Sequence, residues 1–210
     1  SFERTFTYLS LAMSIFVLLQ SWIEWGMSRR IITGDIVVDL LRPLDYMAMQ
    51  VFDVLGFVAG NFIAITLPSF LLVVLAFRMP VPLGLNLLAC LASLALAFLI
   101  SFLIDFLVGC VGFYTESTWG ISTTKEVIVL AFSGALVPLQ FYPEGLRRAL
   151  DWLPFQAIYN TPLSILMDGG LGPARTLGML GLQAAWVLFL LAAARAFFAR
   201  ASRVVTVNGG

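Results

Sequence analysis

Residues 27–50 read MSRRIITGDIVVDLLRPLDYMAMQ and form the polar exception in an otherwise apolar chain. They carry six of the 24 charged residues, and long apolar runs flank them on both sides. A chain that concentrates charge in one short segment between apolar runs uses that segment to meet something in water. The alternative is a plain interfacial linker, and composition weighs the two about equally. The six charges are Arg29, Arg30, Asp35, Asp39, Arg42 and Asp45.

The composition around this segment is that of a membrane protein. Hydrophobic residues make up 60% of the 210 residues and charged residues 11%, against about 45–50% and about 25% in soluble domains. The net charge is zero and there is no basic block, so no nucleic acid partner is predicted. The chain has no histidine, the commonest general base and metal ligand. We therefore predict no catalytic site, no metal site and no cofactor.

Five apolar runs are each long enough to cross a bilayer, which takes about 20 residues of helix. They predict an all-α, polytopic transmembrane helical bundle that forms a single domain over residues 1–210. Residues 78–84, with two prolines, predict a short turn between the second and third spans. Cys90 and Cys110 lie inside apolar runs and are predicted to be buried thiols. The predicted spans are residues 6–25, 52–77, 85–111, 121–140 and 177–198.

Residues 141–173 predict a helical hairpin before the last span. Residues 144–153 have the spacing of a short amphipathic helix stopped by Pro154, and residues 155–167 of a second one ended by Gly169 and Gly170. Neither is long enough to span, so the hairpin is predicted to be re-entrant or interfacial. Its candidate residues are Pro143, Glu144, Pro154, Phe155 and Pro162.

Topology follows only in part from the sequence. Four spans separate residues 27–50 from the C-terminal tail, so both lie on the same side. Arginines outside the spans number five on each side. The positive-inside rule therefore does not orient the chain.

Within residues 27–50, the pattern predicts one short amphipathic helix. Gly34 makes the turn before it and Asp35 is placed to cap its first free amides. Pro43 limits the helix to about two turns, and Asp45 is placed to cap the next one. Apolar residues line one side and polar residues the other. The apolar side is Ile36, Leu40, Leu41 and Leu44, and the polar side is Asp35, Asp39 and Arg42.

Residues 32–45, ITGDIVVDLLRPLD, resemble the loop between the second and third spans of ABC-2-type transporter permeases, the membrane subunits of bacterial ATP-driven exporters. Two further features fit the resemblance: the proline-containing segment from Tyr142 to Pro162, and the ending VTVNGG at residues 205–210. Members of this family typically have six spans. The resemblance therefore implies one more span before Phe6.

The resemblance implies a bacterial plasma membrane protein whose residues 27–50 and C-terminus are cytoplasmic and whose hairpin lies on the outer side. It implies two copies of an ABC ATPase subunit and a second permease, identical or related, as partners within the lipid bilayer. An amphipathic or lipid-like cargo is expected from the apolar spans. The coupling helix docked in the ATPase would use Gly34, Asp35, Ile36, Asp39, Leu40, Arg42 and Pro43.

Four polar residues in the predicted spans are candidate functional contacts: Asn61, Asp105, Lys125 and Glu126. An ionisable group inside a span is costly, and the favoured interpretation is a pair between Asp105 and Lys125, with a substrate or proton contact as the alternative. Asn61 lines the pathway or bonds a neighbouring helix. Glu24 is expected to reach a membrane interface. The GxxxG of residues 56–60 is predicted to serve packing within the chain rather than a dimer seam.

The sequence gives weaker support to other functions. Residues 120–126, GISTTKE, lack the glycine and the hydroxyl residue that flank the lysine of a phosphate-binding loop, so ATP hydrolysis belongs to another chain. An ATPase-independent secondary transporter or channel would show mid-depth charges and repeated halves. A membrane-embedded enzyme would need catalytic residues that are lacking. A structural assembly subunit is equally compatible with a docking loop.

Overall fold

The computed structural model describes residues 2–77, 85–167 and 171–204, and every regular element in these ranges is a helix. Four helical stretches are long and apolar enough to cross a membrane: Thr5–Thr33, Tyr46–Ala76, Asn86–Val111 and Pro173–Val204. The all-α membrane bundle is thus confirmed. The predicted turn at residues 78–84, the helix stop at Gly169 and Gly170 and the ending at 205–210 lie outside the described residues.

The first stretch is two helices, α1 (Phe2–Leu19) and α2 (Ile23–Thr33). Residues 20–22 interrupt them, and Trp22 has a left-handed backbone with φ of 51°, which is unusual for a residue with a side chain. The span predicted for residues 6–25 therefore lies within the first membrane-capable stretch and contains this break. Residues 27–33, predicted as loop, are helical because Met27 and Ser28 are buried, and the adjoining α6 covers them.

The polar segment contains only the short helix α3 (Ile36–Leu40). Then α4 (Tyr46–Asn61), a π-helical turn (Phe62–Thr66) and α5 (Leu67–Phe77) follow without interruption. The helix begins at residue 46, earlier than the predicted start at 52, because Asp45 caps it. Pro68 lacks an amide hydrogen, and the π turn directly before it accommodates that lost bond.

The central helix is α6 (Leu85–Val111), which ends at the residue predicted for the end of the third span. It packs against α2, α9 and α10, and Ala97, Ile100 and Phe106 are fully buried on it. Its close approach to α2 depends on Gly109: a Cβ there would lie 2.9 Å from Met27 Sδ and 3.3 Å from Glu24 Cα. Both cysteines are buried free thiols, as predicted.

The fourth predicted span, residues 121–140, forms a shorter helix. Here α7 (Trp119–Phe132) has 14 residues and covers about 21 Å, less than the hydrocarbon core of about 30 Å. The helix ends because Gly134 takes a left-handed backbone, φ 84°, in tight packing where a Cβ would lie 2.9 Å from the Tyr8 hydroxyl. Residues 133–138 are irregular, and a 3-10 turn follows at Leu139–Phe141.

The hairpin consists of α8 (Glu144–Leu150) and α9 (Gln156–Met167). The first helix ends three residues earlier than predicted, at Leu150, so Pro154 does not stop it. The second is buried over most of its length and packs against α6, α1 and α10, which places it inside the bundle. The last long helix is α10 (Pro173–Ala201), followed by a 3-10 turn at Ser202–Val204.

Candidate functional site

The α3 segment turns a different face inward from the one that its sequence pattern indicated. Ile36 is fully buried and Asp39 is 1% exposed, although they were predicted for opposite sides. The helix ends at Leu40, so residues 41–44 leave the helical register that the prediction assumed. Of the predicted docking residues, Gly34, Asp35, Leu40, Arg42 and Pro43 are on the surface, whereas Ile36 and Asp39 are not.

An apolar patch, defined as Val38, Leu41 and Leu44, covers the outside of this segment. The three side chains are 60%, 79% and 66% exposed. They lie among charged and turn residues that do not suit a hydrocarbon environment. Exposed apolar surface with a polar rim marks an interaction site.

Asp39 anchors α3 to α2. Its Oδ2 lies 2.8 Å from Arg30 Nη1, and its Oδ1 lies 3.8 Å from Arg42 Nη2. The closer contact is an ion pair without the alignment of a hydrogen bond, since Oδ2 accepts none. A buried carboxylate between two guanidinium groups holds the short helix in one position.

The predicted cap by Asp35 was wrong, and the one by Asp45 is confirmed. Asp35 has helical dihedral angles, and its carboxylate accepts a hydrogen bond from Thr33 Oγ1 at 2.8 Å instead. Asp45 is extended and accepts from Ala48 N at 2.8 Å. Its second oxygen pairs with Arg195, which ties the start of α4 to α10.

A charge cluster of Glu24, Asp105 and Lys125 joins α2, α6 and α7. Lys125 Nζ lies 2.9 Å from Glu24 Oε1 and 2.7 Å from Asp105 Oδ1. The predicted pair of Asp105 with Lys125 is therefore present. Glu24 is 4% exposed, so its predicted position at an interface was wrong. Ser21 Oγ completes the arrangement by donating to Asp105 Oδ2 at 2.7 Å.

The cluster has two carboxylates for one ammonium group and borders a small open crevice with a volume of about 40 Å³. Glu24 Oε2 is buried and has no hydrogen-bond partner among the described residues. Glu126 lines the same crevice but forms no ion pair with a described residue. The sequence signal that was missed is Glu24 itself, because the neighbouring Trp22 and Trp25 indicated an interface. No spacing rule connects residues 24 and 125.

The predictions for Asn61 and for the GxxxG segment have different outcomes. Asn61 Nδ2 donates to Val17 O at 3.3 Å, which is the helix-bonding alternative. A Cβ added at Gly56 or Gly60 would meet nothing within 4 Å. The prediction that these glycines serve packing within the chain was therefore wrong, because α4 turns them outward.

The five candidate residues of the hairpin lie in different environments, from the surface to the buried interior. Pro143 precedes α8, and Glu144 pairs with Arg148 on its surface. Pro154 is buried and its carbonyl accepts from Ala157 N at 3.2 Å. Phe155 is partly buried, and Pro162 lies fully buried within α9, where its carbonyl accepts from Cys90 Sγ at 3.7 Å. They do not form one site.

Comparison with known proteins gives one kind of match, to a protein family. The model of a family described as ABC-2 family transporter protein matches residues 2–209. No curated protein and no solved structure matches the chain.

Proposed function

The chain belongs to the ABC-2 transporter family and is a membrane-embedded permease subunit of an ABC transporter; on this premise, we propose that it exports an amphipathic or lipid-like cargo, driven by two copies of a separate ATPase subunit. The family is generally non-catalytic, and ATP hydrolysis is assigned to the partner. The apolar patch and its anchor carry the proposal, because a force-transmitting contact needs both an exposed surface and a rigid support.

The patch supplies the surface. Val38, Leu41 and Leu44 are exposed on a segment whose other face is held by Ile36 and Asp39. Removal of apolar surface from water is the dominant favourable term in most protein–protein association. We assign this patch to the groove of the ATPase, with Asp35, Arg42 and Pro43 at its rim.

The anchor supplies the route by which movement spreads. The ion pair of Asp39 with Arg30 links α3 to α2. Helix α2 packs closely on Gly109 of α6 and carries Glu24, which pairs with Lys125 of α7. A push on the patch therefore shifts α2 as a lever and acts on α6 and α7 together.

Pairing and orientation complete the proposal. A second permease subunit, identical or related, packs beside this one to enclose the path, and the open surface at Gly56 and Gly60 supports a contact on α4. Residues 27–50 and the C-terminus face the cytoplasm of a bacterium, and the hairpin faces outward. The membrane is the plasma membrane.

The test is affinity purification of the intact protein from native membranes in mild detergent, followed by mass spectrometry. A soluble subunit with a phosphate-binding loop is expected to co-purify with the wild type. Leu41→Glu combined with Leu44→Glu is expected to abolish this, because charges in an apolar contact cost several-fold in affinity or more. Leu146→Glu, at an exposed leucine of α8, is the matched control.

Two results would count against the proposal. Retention of the ATPase by the double variant, with transport unchanged, would show that the patch is not the docking surface. Absence of any ATPase from the wild-type complex, with no crosslink from residues 27–50, would favour an ATPase-independent transporter or channel.

A further inference from the structure

A second large crevice lies between the hairpin and the last long helix, far along the chain from both sites described above. Its volume is about 610 Å³, and it is bordered by α8, α9 and the first turns of α10. We call it the hairpin crevice. Ligand sites of small molecules typically occupy about 300–1,000 Å³, so the crevice has room for a small molecule.

Two guanidinium groups face this space. Arg147 comes from the last turn of α8 and Arg175 from the first turn of α10. Neither forms an ion pair with a carboxylate among the described residues, in contrast to the neighbouring Arg148, which pairs with Glu144. Asp151 is the one acidic residue among the lining residues, so the formal charge of the lining is +1. The crevice therefore favours an anion.

One face of α9 lines the crevice with uncharged polar groups. Gln156, Asn160 and Ser164 recur every four residues, which places them in one row. Gln156 is occupied, since its side-chain oxygen accepts from Thr161 Oγ1 at 3.0 Å and its nitrogen donates to Asp151 O at 3.1 Å. Ser164 makes no hydrogen bond to a described residue and remains available to a ligand.

The crevice also has an apolar part of its lining. Leu171, Met179 and Leu182 border the same space, and Met179 belongs to the apolar surroundings of the core. Met179 and Leu182 follow Arg175 at helical spacing along α10, so the crevice combines cationic and hydrogen-bonding groups with hydrocarbon surface. That combination fits a molecule with an anionic head and an apolar tail.

We propose that the hairpin crevice binds an anionic amphiphile, with Arg147 and Arg175 contacting its oxyanion headgroup and the wall at Met179 and Leu182 contacting its chain. Guanidinium groups suit this task because their planar fork matches the oxygens of a phosphate or carboxylate. The inference rests on the proposed function and deepens it by giving the lipid-like cargo a negative charge.

The test is photolabelling of the intact, purified protein in a nonionic detergent. The probe is an alkyl phosphate with a diazirine in its chain, and the same chain on a glucose head is the uncharged comparison. Labelling is mapped by mass spectrometry. We expect the phosphate probe to label residues 171–182 in the wild type, and excess dodecyl phosphate, but not inorganic phosphate, to compete.

The variants test whether Arg147 and Arg175, rather than positive charge in general, bind the headgroup. Arg147→Gln and Arg175→Gln are each expected to lower labelling by the phosphate probe about tenfold, the effect of losing one charge-assisted hydrogen bond. Arg148→Gln is the matched control and is expected to keep wild-type labelling. Labelling by the glucoside probe is expected to remain unchanged in all three, which also verifies that the variants are folded.

Several results would overturn the proposal. If the phosphate probe labels the wild type at residues outside the hairpin crevice, the proposal is overturned and no variant is needed to show it. Equal competition by inorganic phosphate and dodecyl phosphate indicates a site for a free oxyanion rather than an amphiphile. The assay needs no ATPase, so failure to co-purify one leaves its outcome intact, and loss of labelling leaves the docking of an ATPase untouched.

Discussion

At the scale of single residues, Lys125 joins three of the described helices. It is the only lysine in the chain, and its ammonium group is shared by carboxylates from α2 and α6. Buried charges are tolerated when they are paired, and an unpaired one is strongly destabilising. Because the cluster has one carboxylate in excess, its stability is sensitive to the loss of its one cation.

The first prediction concerns that cation. Lys125→Met leaves the carboxylates of Glu24 and Asp105 buried without a cation and is expected to cost about 3–5 kcal/mol of stability. The measurement is thermal or denaturant unfolding of the protein in detergent. The triple variant with Glu24→Gln and Asp105→Asn is expected to recover much of this loss. If Lys125→Met is as stable as the wild type, the cluster does not hold these helices together.

The second prediction concerns the contact of α2 with α6. Gly109→Ala places a Cβ 2.9 Å from Met27 Sδ and 3.3 Å from Glu24 Cα, and overpacking of this kind costs about 1–3 kcal/mol. The matched control is Gly26→Ala on α2, where a Cβ would meet nothing within 4 Å. That change is expected to be neutral or to stabilise by about 0.5–1 kcal/mol through helix propensity. The measurement is a comparison of the unfolding midpoints of the two variants. If Gly109→Ala is as stable as Gly26→Ala, the close packing at Gly109 is contradicted.

At the scale of elements, the ends of helices depend on local capping as well as on hydropathy. Helix α4 begins at Tyr46 because Asp45 caps it, and α7 ends at Phe132 because Gly134 turns. Hydropathy located both helices but placed the start of α4 and the end of α7 too far along the chain. Hydropathy does not detect a cap or a turn, because apolar residues continue past a turn.

The third prediction concerns the Asp45 cap and its pH dependence. Asp45→Ala is expected to destabilise the protein by about 0.5–2 kcal/mol. Partial burial by itself raises the pKa of the Asp45 carboxyl, but the hydrogen bond from Ala48 and the charge of Arg195 lower it overall. The contribution of the charged form is therefore complete above the ordinary pKa and is lost as the pH falls through the lowered value.

Unfolding of the wild type and of Asp45→Asn across acidic pH tests this sign. Asparagine keeps a capping oxygen but not the charge that pairs with Arg195. The difference in stability between the two proteins is expected to be constant near neutral pH and to shrink at acidic pH, below the ordinary aspartate range. A difference that grows on acidification would mean that the charged cap is not stabilising.

At the scale of the whole molecule, two ion-paired positions on α2 lie along one connected route. The anchor of Asp39 with Arg30 lies at one end of α2, and Glu24 lies at its other end in the charge cluster. Under the proposed function, docking and transmission are separate tasks, assigned to the exposed patch and to the buried anchor respectively. A variant that affects one without the other distinguishes them.

The fourth prediction makes this distinction. Asp39→Asn removes the charge that holds α3 to α2 but leaves the apolar patch in place, so the ATPase is expected to co-purify as with the wild type. ATP hydrolysis in proteoliposomes is expected to lose several-fold of its stimulation by cargo. Glu144→Gln, at an exposed carboxylate of α8 outside the docking segment, is the control and is expected to keep that stimulation. Unchanged stimulation in Asp39→Asn would exclude the anchor as the transmission route.

The sequence by itself determined the all-α membrane class, the end of α6, the burial of both cysteines, the Asp45 cap and the pair of Asp105 with Lys125. The first four follow from composition and local pattern, and the pair follows from the cost of placing charges among apolar residues. The family resemblance also lay in the sequence, in the residues around α3.

Only the tertiary structure decided which faces turn inward. Glu24 joins the cluster across 101 positions of chain, Arg195 reaches Asp45 across 150, and Asp39 is buried because Arg30 meets it from α2. Periodicity describes one helix at a time, whereas burial depends on what a neighbouring helix brings to the contact. That is why Gly56 and Gly60 face outward, while Gly109, with no such motif to mark it, makes the close approach.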